Sequence, residues 1–182
     1  SQQGVKLIAS SDSPANENEG LPTIAATDGE HFLINPRLHQ EVFGPYSLVV
    51  RCKDLQQMNE VAAKLEGQLT ATLMATDDEV INNYALVENI KNCCGRLILN
   101  GIPTGVEVCL SMQHGGPFPA TTDSRFTSVG ADGIKRFARP LAFQNWPNQL
   151  LPDELRNDNP LGIWRTVNNE FTKNKINNGD SK

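Results

Sequence analysis

Three runs decide how this chain reads: Ser47-Leu48-Val49-Val50, Leu69 through Ala75, and Arg96-Leu97-Ile98-Leu99-Asn100. Each is a short apolar or β-prone stretch of the kind found in strands covered on both faces. Between the first two, Leu55, Met58, Ala62 and Leu65 recur at three- and four-residue spacing, behind Asp54 as an N-cap and ahead of Gly67 as a stop. Between the second and third, Thr76-Asp77-Asp78-Glu79 supplies a cap and acids where a helix dipole favours negative charge. Val80, Ile81, Tyr84, Val87 and Ile90 then form the buried stripe of that helix, which Gly95 ends. The spacing predicts helices over 55–66 and 79–92, and the order β-α-β-α-β. Strands joined by single helices run parallel with right-handed crossovers, so the fold class is α/β, an open, mostly parallel sheet with flanking helices. Ligands of such sheets sit at the carboxyl ends of the strands. That directs attention to the Gly- and Pro-rich loop from Asn100 to Ala120, which is too long for a mere connector.

Upstream, Val5 to Ala9 reads as a strand and the Ser/Asn/Glu-rich stretch ending at Gly20 as a surface loop. Pro22 to Thr27 and His31 to Ile34 are β-prone pieces around Asp28-Gly29, a dipeptide that suits a hairpin turn. Downstream, Asp132 to Phe137 reads as helical. Leu141 to Trp146, bracketed by Pro140 and Pro147, reads as a final edge strand. Pro152 to Leu155 and Pro160 to Phe171 read as two short helices, and Lys173 to Lys182 as a frayed end.

The 182 residues are 38% hydrophobic and 20% charged, enough for one ordinary domain with a core. A net charge of −5 offers no reason to bind a phosphate backbone or an anionic membrane, so neither nucleic acid nor membrane is an expected partner. No run approaches the ~18 apolar residues of a membrane span, and no signal peptide is legible, which points to a cytoplasmic protein. Cys52, Cys93, Cys94 and Cys109 lack the spacing of a disulfide framework or a zinc site, so they read as reduced thiols and no metal is expected.

Glu41-Val42-Phe43-Gly44-Pro45 resembles the Glu-x-Phe-Gly-Pro signature of the aldehyde dehydrogenases. In that family the signature precedes an apolar strand, a helix, a strand with small residues, a second helix, a Gly-initiated strand ending in Asn, and a substrate loop closing on Gly-Gly. The same order runs here from Leu48 through His114-Gly115-Gly116, and the resemblance covers about Val5 to Trp146. The segment Gln113 to Asp123 and the later Asn159-Pro160-Leu161-Gly162-Ile163-Trp164-Arg165 are similar to the alpha-ketoglutaric semialdehyde dehydrogenase branch.

The resemblance implies an NADP- or NAD-dependent oxidation of an aldehyde substrate, in which a cysteine thiolate attacks and a glutamate activates water. It also implies that this chain is the carboxy-terminal part of a longer enzyme. The family's Gly-Gln-x-Cys-type nucleophile, its general base and a Gly-x-Gly-x-x-Gly cradle are not found in it, so no catalytic residue is assigned and the chain alone is expected to be inactive. By resemblance Glu41 accepts hydrogen bonds from the nicotinamide ribose hydroxyls and Phe43 packs beside the nicotinamide ring. Val108, Cys109 and His114 are the substrate-loop candidates, with Cys109 a loop thiol rather than a nucleophile.

Arg125, Lys135, Arg136 and Arg139 suit a carboxylate end of a substrate or equally a solvated face, and stay unassigned. Cys93-Cys94 read as packing residues whose adjacency permits oxidation, and His31 and His39 as surface residues. Residues 1–137 are expected to be the carboxy-terminal portion of the catalytic domain. Residues 138–182 are expected to hold a strand, with Phe143 and Trp146, for self-association between subunits, followed by a helical extension. The competing reading is a free-standing assembly module that binds no nucleotide.

Overall fold

The computed structural model describes residues 2–13 and 15–177, in two compact units, 1–138 and 139–182. In the first, β1 (Lys6–Ser10) pairs antiparallel with β2 (Thr23–Asp28), which pairs in parallel with β3 (Tyr46–Arg51). After β2 comes α1 (Gly29–Ile34), and after β3 comes α2 (Leu55–Ala62). A second parallel pair, β4 (Gln68–Leu73) and β5 (Cys94–Leu99), is joined by α3 (Asp77–Asn82) and α4 (Tyr84–Cys93). The mixed α/β class and the order strand, helix, strand, helices, strand are as expected.

The caps act as the sequence predicts. The Asp54 carboxylate accepts from Gln57 N at 2.8 Å. Thr76 and Glu79 form a reciprocal capping box, with Thr76 N donating to Glu79 Oε2 at 2.8 Å and Glu79 N to Thr76 Oγ1 at 3.3 Å.

Several expectations are corrected. His31 to Ile34 is helix, not strand, because Asp28 caps it through His31 N at 2.8 Å instead of turning a hairpin. The first long helix stops at Ala62, short of Gly67, in tight turns from Lys64 N to Val61 O and Leu65 N to Ala62 O. The second is two helices, broken where the Asn83 amide donates to Glu79 O at 2.7 Å, and with that break Ile81 and Tyr84 of the expected buried stripe stand exposed. Gly95 lies inside β5 rather than ending a helix. His31 and His39 are partnered: His31 Nδ1 lies 2.8 Å from Asp28 Oδ1, and His39 Nε2 lies 2.7 Å from Phe32 O with its ring 4.5 Å from that of Phe32.

The three deciding strands do not make one continuous sheet among the described residues. β3 pairs with β2, and β4 with β5, because consecutive strands of a crossover unit need not be neighbours. β3 accordingly alternates half-buried and exposed residues instead of being covered throughout. The apolar core is also smaller than the composition suggests: Ala25, Phe32, Val61, Ala62 and Cys93 are its buried members, while Phe137, Phe118 and Ile102 stand open to solvent.

Residues Ala131–Phe137 form a 3-10 helix, not an α-helix. In the second unit, Leu141 to Trp146 forms no strand; Phe143 meets Trp146 edge-on at 5.8 Å, and the Trp146 indole N–H donates to Leu150 O. The expected helix over Pro160 to Phe171 is a hairpin, β6 (Arg165–Val167) against β7 (Glu170–Thr172). Asn168 and Asn169 make its two-residue turn with φ of 49° and 69°, the primed geometry that matches strand twist. Pro152 to Leu155 is turn rather than helix. Buried Asn159 ties this unit together, its amide donating to Ile163 O and Lys173 O at 3.0 and 2.8 Å.

Candidate functional site

The signature segment lies between the 3-10 turn Pro36–His39 and β3. Gly44 takes a φ of 136°, which a side chain rarely tolerates, and its carbonyl accepts from Tyr46 N at 2.8 Å. Pro45 O accepts from Thr23 N at 2.8 Å, fixing the segment's exit to the start of β2. Phe43, held on this bend, is 90% exposed. A cavity of about 850 Å³ is lined by Glu41, Val42 and Gly44, by Tyr46, Leu48 and Val50 of β3, and by Gln68, Thr70 and Ala71 of β4. Glu41 is exposed there and its carboxylate has no partner among the described residues. The lining takes in Glu41 but not Phe43, Val108, Cys109 or His114.

At the carboxyl ends of β4 and β5, Asn100 acts as a staple. Its backbone N donates to Leu73 O at 2.8 Å, its amide donates to Ala75 O at 2.7 Å, and its carbonyl oxygen accepts from Ala75 N at 2.9 Å. A φ of 50° at Asn100 turns the chain out of the strand into the candidate loop. Arg96 of β5 reaches that loop, donating to Pro103 O and Gly105 O at 2.6 Å each, with Met112 Sδ 3.7 Å from the same guanidinium.

The return of the loop is a backbone-on-backbone approach. A Cβ on Gly95 would lie 1.7 Å from Gly115 O, one on Gly67 2.0 Å from Pro117 O, and one on Gly116 2.3 Å from Gln68 O. Gly67, Gly95 and Gly116 are therefore a steric requirement of seating residues 115–117 over the starts of β4 and β5. Thr121 Oγ1 donates to Gly116 O at 2.6 Å and locks the turn.

Among the loop candidates, Val108 is 85% exposed. The Cys109 thiol lies 3.3 Å from Ser111 Oγ, and its carbonyl accepts from Met112 N and Ala131 N. His114 is anchored by its backbone: its N donates to Thr127 Oγ1 at 2.8 Å and its O accepts from Ser128 N and Oγ at 2.9 Å each. His114 Nδ1 is buried without a hydrogen-bond partner among the described residues. Arg125 grips Asp123 through two bonds of 2.9 and 2.6 Å, which hold the Asp123 carboxyl down at about 2. Burial pushes the thiols of Cys93 and Cys94 up. No cluster of metal-ligating side chains occurs among the described residues.

Over 174 residues, 95% of its length, the chain is 45% identical to the alpha-ketoglutaric semialdehyde dehydrogenase of Acinetobacter baylyi. The chain is therefore similar to a part of an aldehyde dehydrogenase. It is 44% identical over 162 residues, 89% of its length, to alpha-ketoglutaric semialdehyde dehydrogenase 2 of Azospirillum brasilense. It spans about a third of the length of these curated relatives, 33% and 31% respectively. The fold is similar to that of a delta-pyrroline-5-carboxylate dehydrogenase from Mycobacterium tuberculosis, with a TM-score of 0.53 at 16% identity, over 82% of this chain and 28% of that one. No protein-family model matches the chain.

Arg96 and Asn100 were not singled out by sequence reasoning. A polar residue ending an apolar strand and an arginine inside one were the available signals, since a strand buries an arginine only when its donors find acceptors.

Proposed function

We propose that the chain forms the carboxy-terminal part of an NADP- or NAD-dependent aldehyde dehydrogenase that oxidises alpha-ketoglutaric semialdehyde to alpha-ketoglutarate in the cytoplasm. The observation that carries this reading is the 45% identity over 95% of the chain to a protein of that name. Support for a cofactor role comes from the signature segment itself. Glu41 lines a cavity of about 850 Å³ with an unpartnered carboxylate, which can accept from both hydroxyls of a ribose. Phe43 offers an uncovered aromatic face on a bend that Gly44 fixes, suited to a flat ring. A nicotinamide dinucleotide, when bound, supplies the hydride acceptor. The loop with Val108, Cys109 and His114 forms one wall of the aldehyde channel, and residues 138–146 contribute to contact between subunits.

The nucleophile and the general base come from outside this chain in this reading, and the chain alone is inactive. The open apolar side chains of the first unit agree with a surface that the rest of the enzyme covers. The test is formation of reduced nicotinamide from the semialdehyde by the native-length polypeptide, by the 182-residue chain, and by the chain mixed with its upstream half. Activity is expected in the first and third only, with E41Q raising the KM for dinucleotide about tenfold, the value of one charge-assisted hydrogen bond. A native polypeptide inactive on every semialdehyde refutes the activity, and turnover by the isolated chain refutes the division of labour.

A further inference from the structure

The loop that leaves β5 has little of its own to hold it: Ile102, Val106 and Val108 are exposed, and no regular element occurs between Leu99 and Ala131. Its first half is nonetheless fastened at two carbonyls by one side chain. Arg96 Nη2 donates to Pro103 O and Nη1 to Gly105 O, at 2.6 Å each, so two carbonyls flanking the Thr104–Gly105 stretch are aimed at a single guanidinium. Nη1 also lies 3.7 Å from Met112 Sδ, which brings the far limb of the loop to the same group. Arg96 Nε is buried and unpartnered among the described residues. Charge-assisted bonds to two carbonyls in a fixed fork specify geometry as well as affinity, and lysine cannot reproduce the fork.

We propose that Arg96 is a positioning residue that sets the shape of the Ile102–Val108 loop and through it the fit of the aldehyde. It touches no substrate itself; it acts through the carbonyls of Pro103 and Gly105. The proposal rests on the reading of this loop as a wall of the aldehyde channel. It makes Arg96 a determinant of substrate fit and not of the chemical step. The consequence falls on binding of the longer semialdehyde, which needs an ordered wall, more than on a two-carbon aldehyde that reaches less of it.

The test compares the native-length polypeptide with its R96M and R96K variants by amide hydrogen exchange and steady-state kinetics. R96M keeps the stem of the side chain and removes both bonds; R96K leaves one charged donor group. Exchange is expected to speed up in R96M across residues 101–108 while residues 94–99 stay protected. The KM for the semialdehyde is expected to rise about tenfold, with kcat within about twofold and the two-carbon aldehyde little affected. R96K should recover part of both effects. Unchanged exchange at 101–108 overturns the clamp. Faster exchange with an unchanged KM overturns the positioning role, as does an equal fall of kcat for both aldehydes. Loss of protection at 94–99 in R96M marks a damaged strand, and R96K then decides by the same readouts. A parent protein that oxidises neither aldehyde refutes the proposed function and the substrate-fit half of this proposal, whereas the exchange data still accept or reject the clamp.

Discussion

Replacing Gly95 with alanine should destabilise the chain, although the same change in an unencumbered strand is favourable. The added Cβ would stand 1.7 Å from Gly115 O and 2.4 Å from its carbonyl carbon, where real contacts essentially never fall under 3.0 Å. The opposing backbone must therefore retreat by 1.3 Å, from 1.7 to 3.0 Å. That retreat pulls on Gly116 O, held by Thr121 Oγ1 at 2.6 Å, and on the His114–Thr127 and His114–Ser128 bonds. Overpacking a rigid site costs about 1–3 kcal/mol. One weakened hydrogen bond adds about 1 kcal/mol. Removing a glycine from a strand offsets about 0.5–1 kcal/mol of this. The net loss is about 1–3.5 kcal/mol, read as a fall in the urea midpoint of about 1 M with an unchanged slope. G105A is the control: a Cβ there meets nothing within 4 Å, so its midpoint should stay put or rise slightly. A G95A midpoint equal to or above that of the parent would refute the claim that residues 115–117 seat directly on β5.

Three further outcomes are expected. T76A removes the hydroxyl that accepts from Glu79 N and should cost about 1 kcal/mol, with faster amide exchange at the start of α3. Asp123 titrates at about 2 when folded against an ordinary 3.8, held down by Arg125. Its contribution is thus fully present above pH 3.8 and is lost as pH falls through about 2; D123N should flatten that part of the acid unfolding curve, and an NMR titration of the carboxyl checks the value. Cys93 should be alkylated slowest of the four thiols in the native state, because it is buried and burial raises its pKa, which peptide mapping after iodoacetamide measures directly.

What could be read before the structure was local. The Asp54 and Thr76 caps, the stripe from Val80 to Ile90 and the three β-prone runs all act within three or four residues, and the structure places a helix or a strand at each. Local signals also misled where a residue has two uses. Asp28-Gly29 suits a turn, yet Asp28 caps α1; Gly67 and Gly95 look like helix stops, yet their missing side chains admit the loop at Pro117 and Gly115. Asn168-Asn169 carried the hairpin signal that an apolar spacing read as a helix, and two positive φ angles decided the matter. In the candidate site, Glu41 and Phe43 were legible from their motif, whereas the cavity that Glu41 lines is built from β3 and β4 together.

By itself the sequence determined the class of the chain and the order strand, helix, strand, helix, strand from β3 to β5. Periodicity, capping and composition are properties of short windows, and they survive removal from their surroundings. Only the tertiary structure decided that β3 pairs with β2 and not β4, that Asn100 staples two strand ends, and that Arg96 fastens the loop beyond them. Those contacts join residues whose meeting depends on how the separate elements dock, and no short window carries that information.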